Sequence, residues 1–210
     1  FVRRVRRYME QFNQAFFMLV NATPNSPAWL IALAKFFAND LIAIVPILIV
    51  SFWLWGPRKA MDENRTLATK ATFALIFALL ASRVIGMIFP HARPFVDGIG
   101  YQFIPHAPDN SFPSDHGTGI FTFALAFLFW YRHLLFGVIL LALGVCIAWS
   151  RVYLGVHWPL DMVGGLLVGL MSCAVTQLLW GMIGQSIVSR LHQIYSFSFA
   201  LPIRRGWVRQ

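Results

Sequence analysis

Charge is what this chain has least of: Asp, Glu, Lys and Arg make up 12% of its 210 residues. A water-soluble domain carries about a quarter, so an ordinary soluble globule is excluded. Disorder is excluded too, because 58% of the residues are hydrophobic and 16% aromatic, too apolar for a chain that stays unfolded in water. Cysteine is nearly absent. Cys146 and Cys173 both lie inside apolar runs, so the chain offers no disulfide framework. Acidic residues number 8 against 17 Lys and Arg, a net charge of +9. In a soluble protein that excess points to nucleic acid. In a chain this apolar it points to basic loops at the cytoplasmic face of a membrane, and no nucleic-acid partner is expected.

Long apolar runs are what the chain does have. A span needs about 20 mostly apolar residues to cross roughly 30 Å of hydrocarbon. Five segments serve: Ala28 to Trp55 (interrupted by Lys35, Asn39 and Asp40), Leu67 to Phe89, Gly117 to Tyr131, Leu134 to Trp149, and Met162 to Ile183. The third and fourth reach spanning length only if helix continues into their polar ends. Residues 9–20 are too short to span and read as an interfacial amphipathic helix or a partial re-entrant sixth element. Met9 is a natural start, which would make residues 1–8 an upstream addition. The expected fold class is all-α: a polytopic membrane helix bundle of five to six transmembrane helices with an N-terminal interfacial amphipathic helix. Its expected divisions are an interfacial segment at 1–27, a membrane-embedded domain at 28–183 and a basic cytoplasmic tail at 184–210.

Loop charge sets the orientation. Arg58, Lys59, Arg65 and Lys70, then Arg132, then Arg190, Arg204, Arg205 and Arg209 fall on one side. The other side holds residues 90–116 and 150–161, whose basic residues are only Arg93 and Arg151. The first side is therefore expected in the cytoplasm and the second outside. The four arginines among residues 3–7 resist this rule, since five spans put the N-terminus outside.

Three polar strings meet on the outer side: His91-Ala92-Arg93-Pro94, Pro113-Ser114-Asp115-His116-Gly117, and the stretch from Ser150-Arg151 through His157 to Asp161. Arg93 and Arg151 offer permanently charged forks that match phosphate oxygens. Ser114 precedes a helix whose first N–H groups, at Asp115, His116 and Gly117, form a ready anion site. Ser114 can cap that helix, face an anion, or both. Asp161 follows His157 by four residues, so its carboxylate can fix one imidazole nitrogen and leave the other free to attack. His157 is the expected nucleophile. His116 is the expected acid for the leaving oxygen and then the base for water. Arg93, Arg151, Ser114 and the Asp115 end of the helix would hold the phosphate. Asp97, Asp109, Asp115 and Asp161 are not spaced as an oxygen-ligand loop, so neither metal nor other cofactor is expected. Two histidines in these roles imply a bell-shaped pH profile in the histidine range.

These strings resemble the signature motifs of the phosphatidic-acid phosphatase type 2 superfamily. The third motif is complete as Ser150, Arg151, His157 and Asp161. The second appears as Pro113-Ser114-Asp115-His116, with Asp where most members have Gly. The first ends in Arg93-Pro94, and Gly86 stands where the family usually has Lys. The two departures, with the His91-to-Phe95 string, look like the BcrC-type undecaprenyl pyrophosphate phosphatases. The likeness runs from about Asn21, through Trp149 to Tyr153, to Leu201-Pro202-Ile203-Arg204. It implies removal of one phosphate from undecaprenyl diphosphate at the outer face of a bacterial inner membrane, for recycling of the carrier lipid, and with it bacitracin resistance. The implied partners are an isoprenoid lipid diphosphate and membrane lipids. His91 or Arg83 would replace the missing lysine charge, Arg83 lying about one helical turn before Gly86.

Other readings keep the same residues. A phosphotransferase would pass the phosphoryl group to another envelope lipid, and a phosphatase would act on phosphatidylglycerol phosphate or phosphatidic acid. A channel or assembly factor would use the polar loops only to bind a partner. Gly164, Gly165 and Gly169 are expected to serve helix packing. His106, His133 and His192 receive no role, and oligomeric state is not legible.

Overall fold

Helices are the only regular elements among residues 2–209, which the computed structural model describes; Phe1 and Gln210, the outermost residues of the expected N-terminal segment and tail, lie outside the described residues. They are α1 (Val2–Val20), α2 (Ala28–Asn39), α3 (Ile44–Leu54), α4 (Met61–Ile88), α5 (Asp115–Trp130), α6 (Leu134–Tyr153), α7 (Pro159–Ser198) and α8 (Ala200–Arg204). Four stretches are long and apolar enough to cross a membrane: Ala28–Leu54, Arg58–Ile88, Leu134–Tyr153 and Pro159–Ser198.

The first of these is broken. α2 stops at Asn39, and a 3-10 turn at Leu41–Ala43 leads into α3. Asn39 and Asp40 compete for backbone hydrogen bonds, which weakens helix at that point. Pro46 then falls in the first turn of α3, where its missing N–H costs little.

The central helix, expected as the third span, is too short to be among these four. α5 has 16 residues, and Gly117 to Phe127 are buried without a break. It packs against α4, α6 and α7, so its apolar surface meets protein on every side. Glycine permits the closest of these approaches. A Cβ on Gly165 would lie 2.7 Å from the Thr118 nitrogen, and one on Gly169 would lie 2.8 Å from Thr122 Oγ1. The small-residue stripe of α7 thus seats α5 within the bundle, as the spacing implies. Outward-facing Leu80, Leu135, Val145, Met171 and Leu178 are exposed, as lipid-facing positions require.

α7 extends well past the expected end at Ile183. Its 40 residues reach about 60 Å at ~1.5 Å per residue, twice the hydrocarbon thickness. The residue 183/184 division therefore falls inside unbroken helix. The far end is held by packing: Arg65 on α4 is 1% exposed, lies 4.8 Å from the Tyr195 ring centroid, and meets His192 Nε2 at 2.6 Å. The C-terminal residues fold back on the end of α3. Arg209 N donates to Leu54 O at 3.1 Å, and Trp55 Nε1 donates to Trp207 O at 3.1 Å. Arg132 pairs with Glu63 at 3.7 Å, so the basic connections gather at one end of the bundle.

The opposite end holds the long connection 89–114, the short connection 154–158 and α1. α1 packs on α6 and α7, with Asn13 and Phe17 buried and Tyr8, Phe12 and Leu19 exposed. Phe17 meets the Trp158 ring at 5.0 Å. The amphipathic N-terminal segment is therefore a helix docked on this end, with an apolar face left outward.

Candidate active site

A cavity of about 490 Å³ opens at the end opposite the basic connections, within the range of small-ligand sites. Its walls come from α4 (Arg83, Gly86, Met87), the long connection (Arg93, His106, Asp109, Asn110), the start of α5 (Asp115, His116), the end of α6 (Arg151) and the α6–α7 connection (His157). Residues from three separate strings thus converge as the topology requires.

His157 sits at the bottom, 2% exposed. Its Nδ1 lies 3.2 Å from Asp161 Oδ2, and its Nε2 lies 3.0 Å from Arg93 Nη1. Arginine only donates, so Nε2 must carry the lone pair and Nδ1 the proton. One tautomer satisfies both contacts. Asp161 Oδ2 also accepts from Trp158 N at 2.8 Å and from Ser111 Oγ at 2.5 Å. Local sequence explains this convergence. Pro159 begins α7 and Asp161 occupies its first turn, so the carboxylate turns back on the residues just before the helix.

Burial pushes the His157 imidazole down to about 4; the Asp161 hydrogen bond opposes this, and the charges of Arg93 and Arg151 add to it. His157 is therefore neutral at pH 7, as an attacking nitrogen must be.

Arg93 is 4% exposed and heavily tied. Its Nη1 donates to Val156 O at 2.7 Å, its Nη2 to Asn110 O at 3.3 Å, and its Nε to Asp109 Oδ1 at 2.8 Å. Arg151 is different. It is 3% exposed, its Nη1 reaches Ala38 O only at 3.5 Å, and its Nε and Nη2 have no hydrogen-bond partner among the described residues. An unsatisfied buried guanidinium is costly. It fits a site completed by an anion, because a phosphate would supply the missing acceptors.

The remaining sequence-predicted residues divide. His116 lines the cavity, as does Asp115, whose carboxylate accepts from Ser82 Oγ at 3.2 Å. Ser114 is fully buried, is not among the lining residues, and accepts from Gly117 N at 3.2 Å. It is the cap of α5. Arg83 is exposed on α4 at the cavity wall. His91 lies outside the cavity, behind Asp161, with its Nδ1 3.8 Å from Asp161 Oδ1. Gly86 has a structural reason to lack a side chain: a Cβ there would come within 2.5 Å of Asn110 Nδ2, and that amide donates to Gly86 O at 2.9 Å.

Sequence reasoning passed over four neighbours in residues 106–111. His106 lines the cavity, with its ring centroid 6.0 Å from that of His157. Its imidazole is lowered by burial, and the charges of Arg93 and Arg151 add to this. Asp109 ties to Arg93; burial works to raise its carboxyl, and Arg93 overcomes this and holds it below the ordinary value. Asn110 bridges His91 N at 2.6 Å and Phe112 O at 2.7 Å. Ser111 supports Asp161. Their one signal in the sequence was position, in the polar connection between two motif strings. Among the described residues no group of three or more His, Cys, Asp or Glu is placed to hold a metal ion.

Comparison with known proteins gives concordant results. The family model "PAP2 superfamily" matches residues 67–184. The Escherichia coli K12 protein named "Putative undecaprenyl-diphosphatase YbjG" is 55% identical over 201 residues, 96% of this chain and 99% of that one. Undecaprenyl-diphosphatase BcrC of Bacillus subtilis is 29% identical over 75% of this chain and 79% of its own. The crystal structure of Aquifex aeolicus LpxE superposes with a TM-score of 0.63 at 25% identity, covering 79% of this chain and 94% of that one.

Proposed function

The chain belongs to the PAP2 superfamily, and on that premise we propose that it is an undecaprenyl-diphosphate phosphatase. It removes the terminal phosphate of the lipid diphosphate at the periplasmic face of a bacterial inner membrane. The lipid phosphate product returns as carrier for cell-wall synthesis. The isoprenoid tail stays in the bilayer and the diphosphate enters the cavity.

In the first step, His157 Nε2 attacks the terminal phosphorus. The bond from that phosphorus to the bridging oxygen breaks, and His116, whose imidazole burial pushes down to about 3 until the negative diphosphate beside it favours the charged form, gives its proton to the departing lipid phosphate. Arg93 and Arg151 hold the oxygens of the transferring group, and Asp161 stabilises the charge that develops on the imidazole. In the second step, His116 takes a proton from water, whose oxygen attacks the phosphohistidine. Inorganic phosphate leaves and His157 is restored. Arg83, at the wall, faces the second phosphate in place of the lysine usual at position 86.

The observation that carries this reading is the unsatisfied Arg151 fork buried in the same cavity as the His157–Asp161 pair. The test is phosphate release by the purified protein from undecaprenyl diphosphate, phosphatidylglycerol phosphate and phosphatidic acid. Wild type and His157→Ala are compared, with and without EDTA. Undecaprenyl diphosphate is expected to be turned over fastest, with EDTA without effect and His157→Ala inactive. Equal turnover of phosphatidic acid would end the substrate assignment.

A further inference from the structure

Residues 1–66 precede the segment that defines the family, yet α1 reaches the attacking histidine through a chain of contacts. Glu10 Oε1 lies 3.2 Å from His91 Nε2. His91 Nδ1 lies 3.8 Å from Asp161 Oδ1. Asp161 Oδ2 holds His157 Nδ1. The middle link is the informative one. Three donors crowd Asp161 Oδ2, while Oδ1, on a fully buried side chain, has no hydrogen-bond partner among the described residues. A bare buried carboxylate oxygen is costly unless a charge faces it, and the imidazole of His91 is the group that does.

α1 is also built into the helix that carries Asp161. Asn13, 1% exposed, accepts from Leu160 N at 3.0 Å and so satisfies an end donor of α7 that has no intrahelical partner. Phe17, fully buried, packs on Trp158.

We propose that His91, charged and held by Glu10 of the N-terminal helix, is a positioning residue that pins Asp161 and thereby sets the basicity of His157. This rests on the phosphatase reading above. His91 faces Glu10 from α1, Asp161 from α7 and the Trp158 ring at 6.0 Å. The Asp161 carboxylate at 3.8 Å raises its imidazole, burial opposes, and Glu10 adds to the rise. The groups facing His157 are Asp161, Arg93, Arg151, His106 and His116. A cation behind Asp161 weakens the pull of that carboxylate on the His157 proton. Removing the cation therefore makes His157 more basic.

The test uses the full chain in detergent with isotope-labelled histidine. It reads the His157 titration by NMR beside steady-state phosphate release from undecaprenyl diphosphate. His91→Gln is expected to raise the His157 pKa by about one unit and, because the strengthened Asp161 pull also stabilises the imidazolium that forms in attack, to speed phosphohistidine formation by up to about tenfold. KM is expected to stay the same, because His91 does not line the cavity. Glu10→Gln, at a half-exposed side chain where folding is not at stake, shifts His157 the same way by less. The double variant adds nothing to His91→Gln, since Glu10 acts through His91. An unmoved His157 titration in Glu10→Gln and His91→Gln, or fully additive effects, overturns the proposal. Wild type that releases no phosphate while the NMR shifts appear would refute the phosphatase reading and leave the relay standing.

Discussion

Replacing Asp161 by Asn separates two roles that a carboxylate beside a histidine can play. Ser111 Oγ, Trp158 N and His157 Nδ1 all converge on Oδ2, and Oδ1 accepts no hydrogen bond among the described residues. An asparagine therefore places its amide oxygen at the Oδ2 position and its NH2 toward His91. The tautomer of His157 survives, and only the charge is lost. At 3.2 Å a unit charge pair is worth about 5 kcal/mol at an effective dielectric constant near 20. An amide dipole in the same place retains roughly half of such a charge-assisted bond. The expected loss is about 2–3 kcal/mol, or about 10²-fold in kcat, with KM unchanged because Asp161 does not touch the cavity. Inversion of the tautomer would cost about 10⁴-fold. The assay is steady-state phosphate release at saturating lipid diphosphate, with thermal unfolding of the same preparation to confirm folding. A loss of 10⁴-fold would refute the one-sided loading of Asp161. A loss below threefold would refute charge development on His157 and, with it, the nucleophile.

Three further outcomes follow from the geometry. Arg151→Lys keeps the charge but loses the fork, and kcat/KM should fall about 10- to 100-fold; unchanged phosphate competition against substrate would count against the fork. Because burial holds the free His157 imidazole near 4, the nucleophile stays neutral as pH falls through the ordinary histidine range. The acid limb of kcat/KM should then lie near pH 4 rather than near 6.5, one proton blocking attack below it. A limb at pH 6 to 7 would mean that His157 is less buried than this structure has it. Gly165→Ala forces a Cβ into the α5 backbone at 2.7 Å. It should destabilise the bundle by about 1–3 kcal/mol, seen as a lower thermal midpoint, whereas Gly181→Ala, where a Cβ meets nothing within 4 Å, should not.

The pH outcome places the acid limb below the ordinary histidine range that the two histidines alone suggest. Histidine count and spacing fix which groups titrate, but desolvation by surrounding protein fixes where. The same limit explains Ser114. A serine before a helix is written identically in sequence whether its hydroxyl caps the helix or faces a ligand, and only the packing of α5 turned it inward.

Sequence alone determined the membrane character, the helical class, the end of the bundle at which the motif strings meet, and the His157–Asp161 partnership. Each of these depends on local quantities: apolar run length, loop charge, and a four-residue spacing at the start of a helix. Tertiary structure decided the rest. It carried α7 past residue 183 by docking Tyr195 on Arg65, and it moved His91 from the phosphate to the back of Asp161. It brought His106 and Asp109 to the cavity and left Arg151 Nε and Nη2 without acceptors among the described residues. Those outcomes depend on which side chains from distant segments fill the same space, and no periodicity or spacing along one chain encodes that distance.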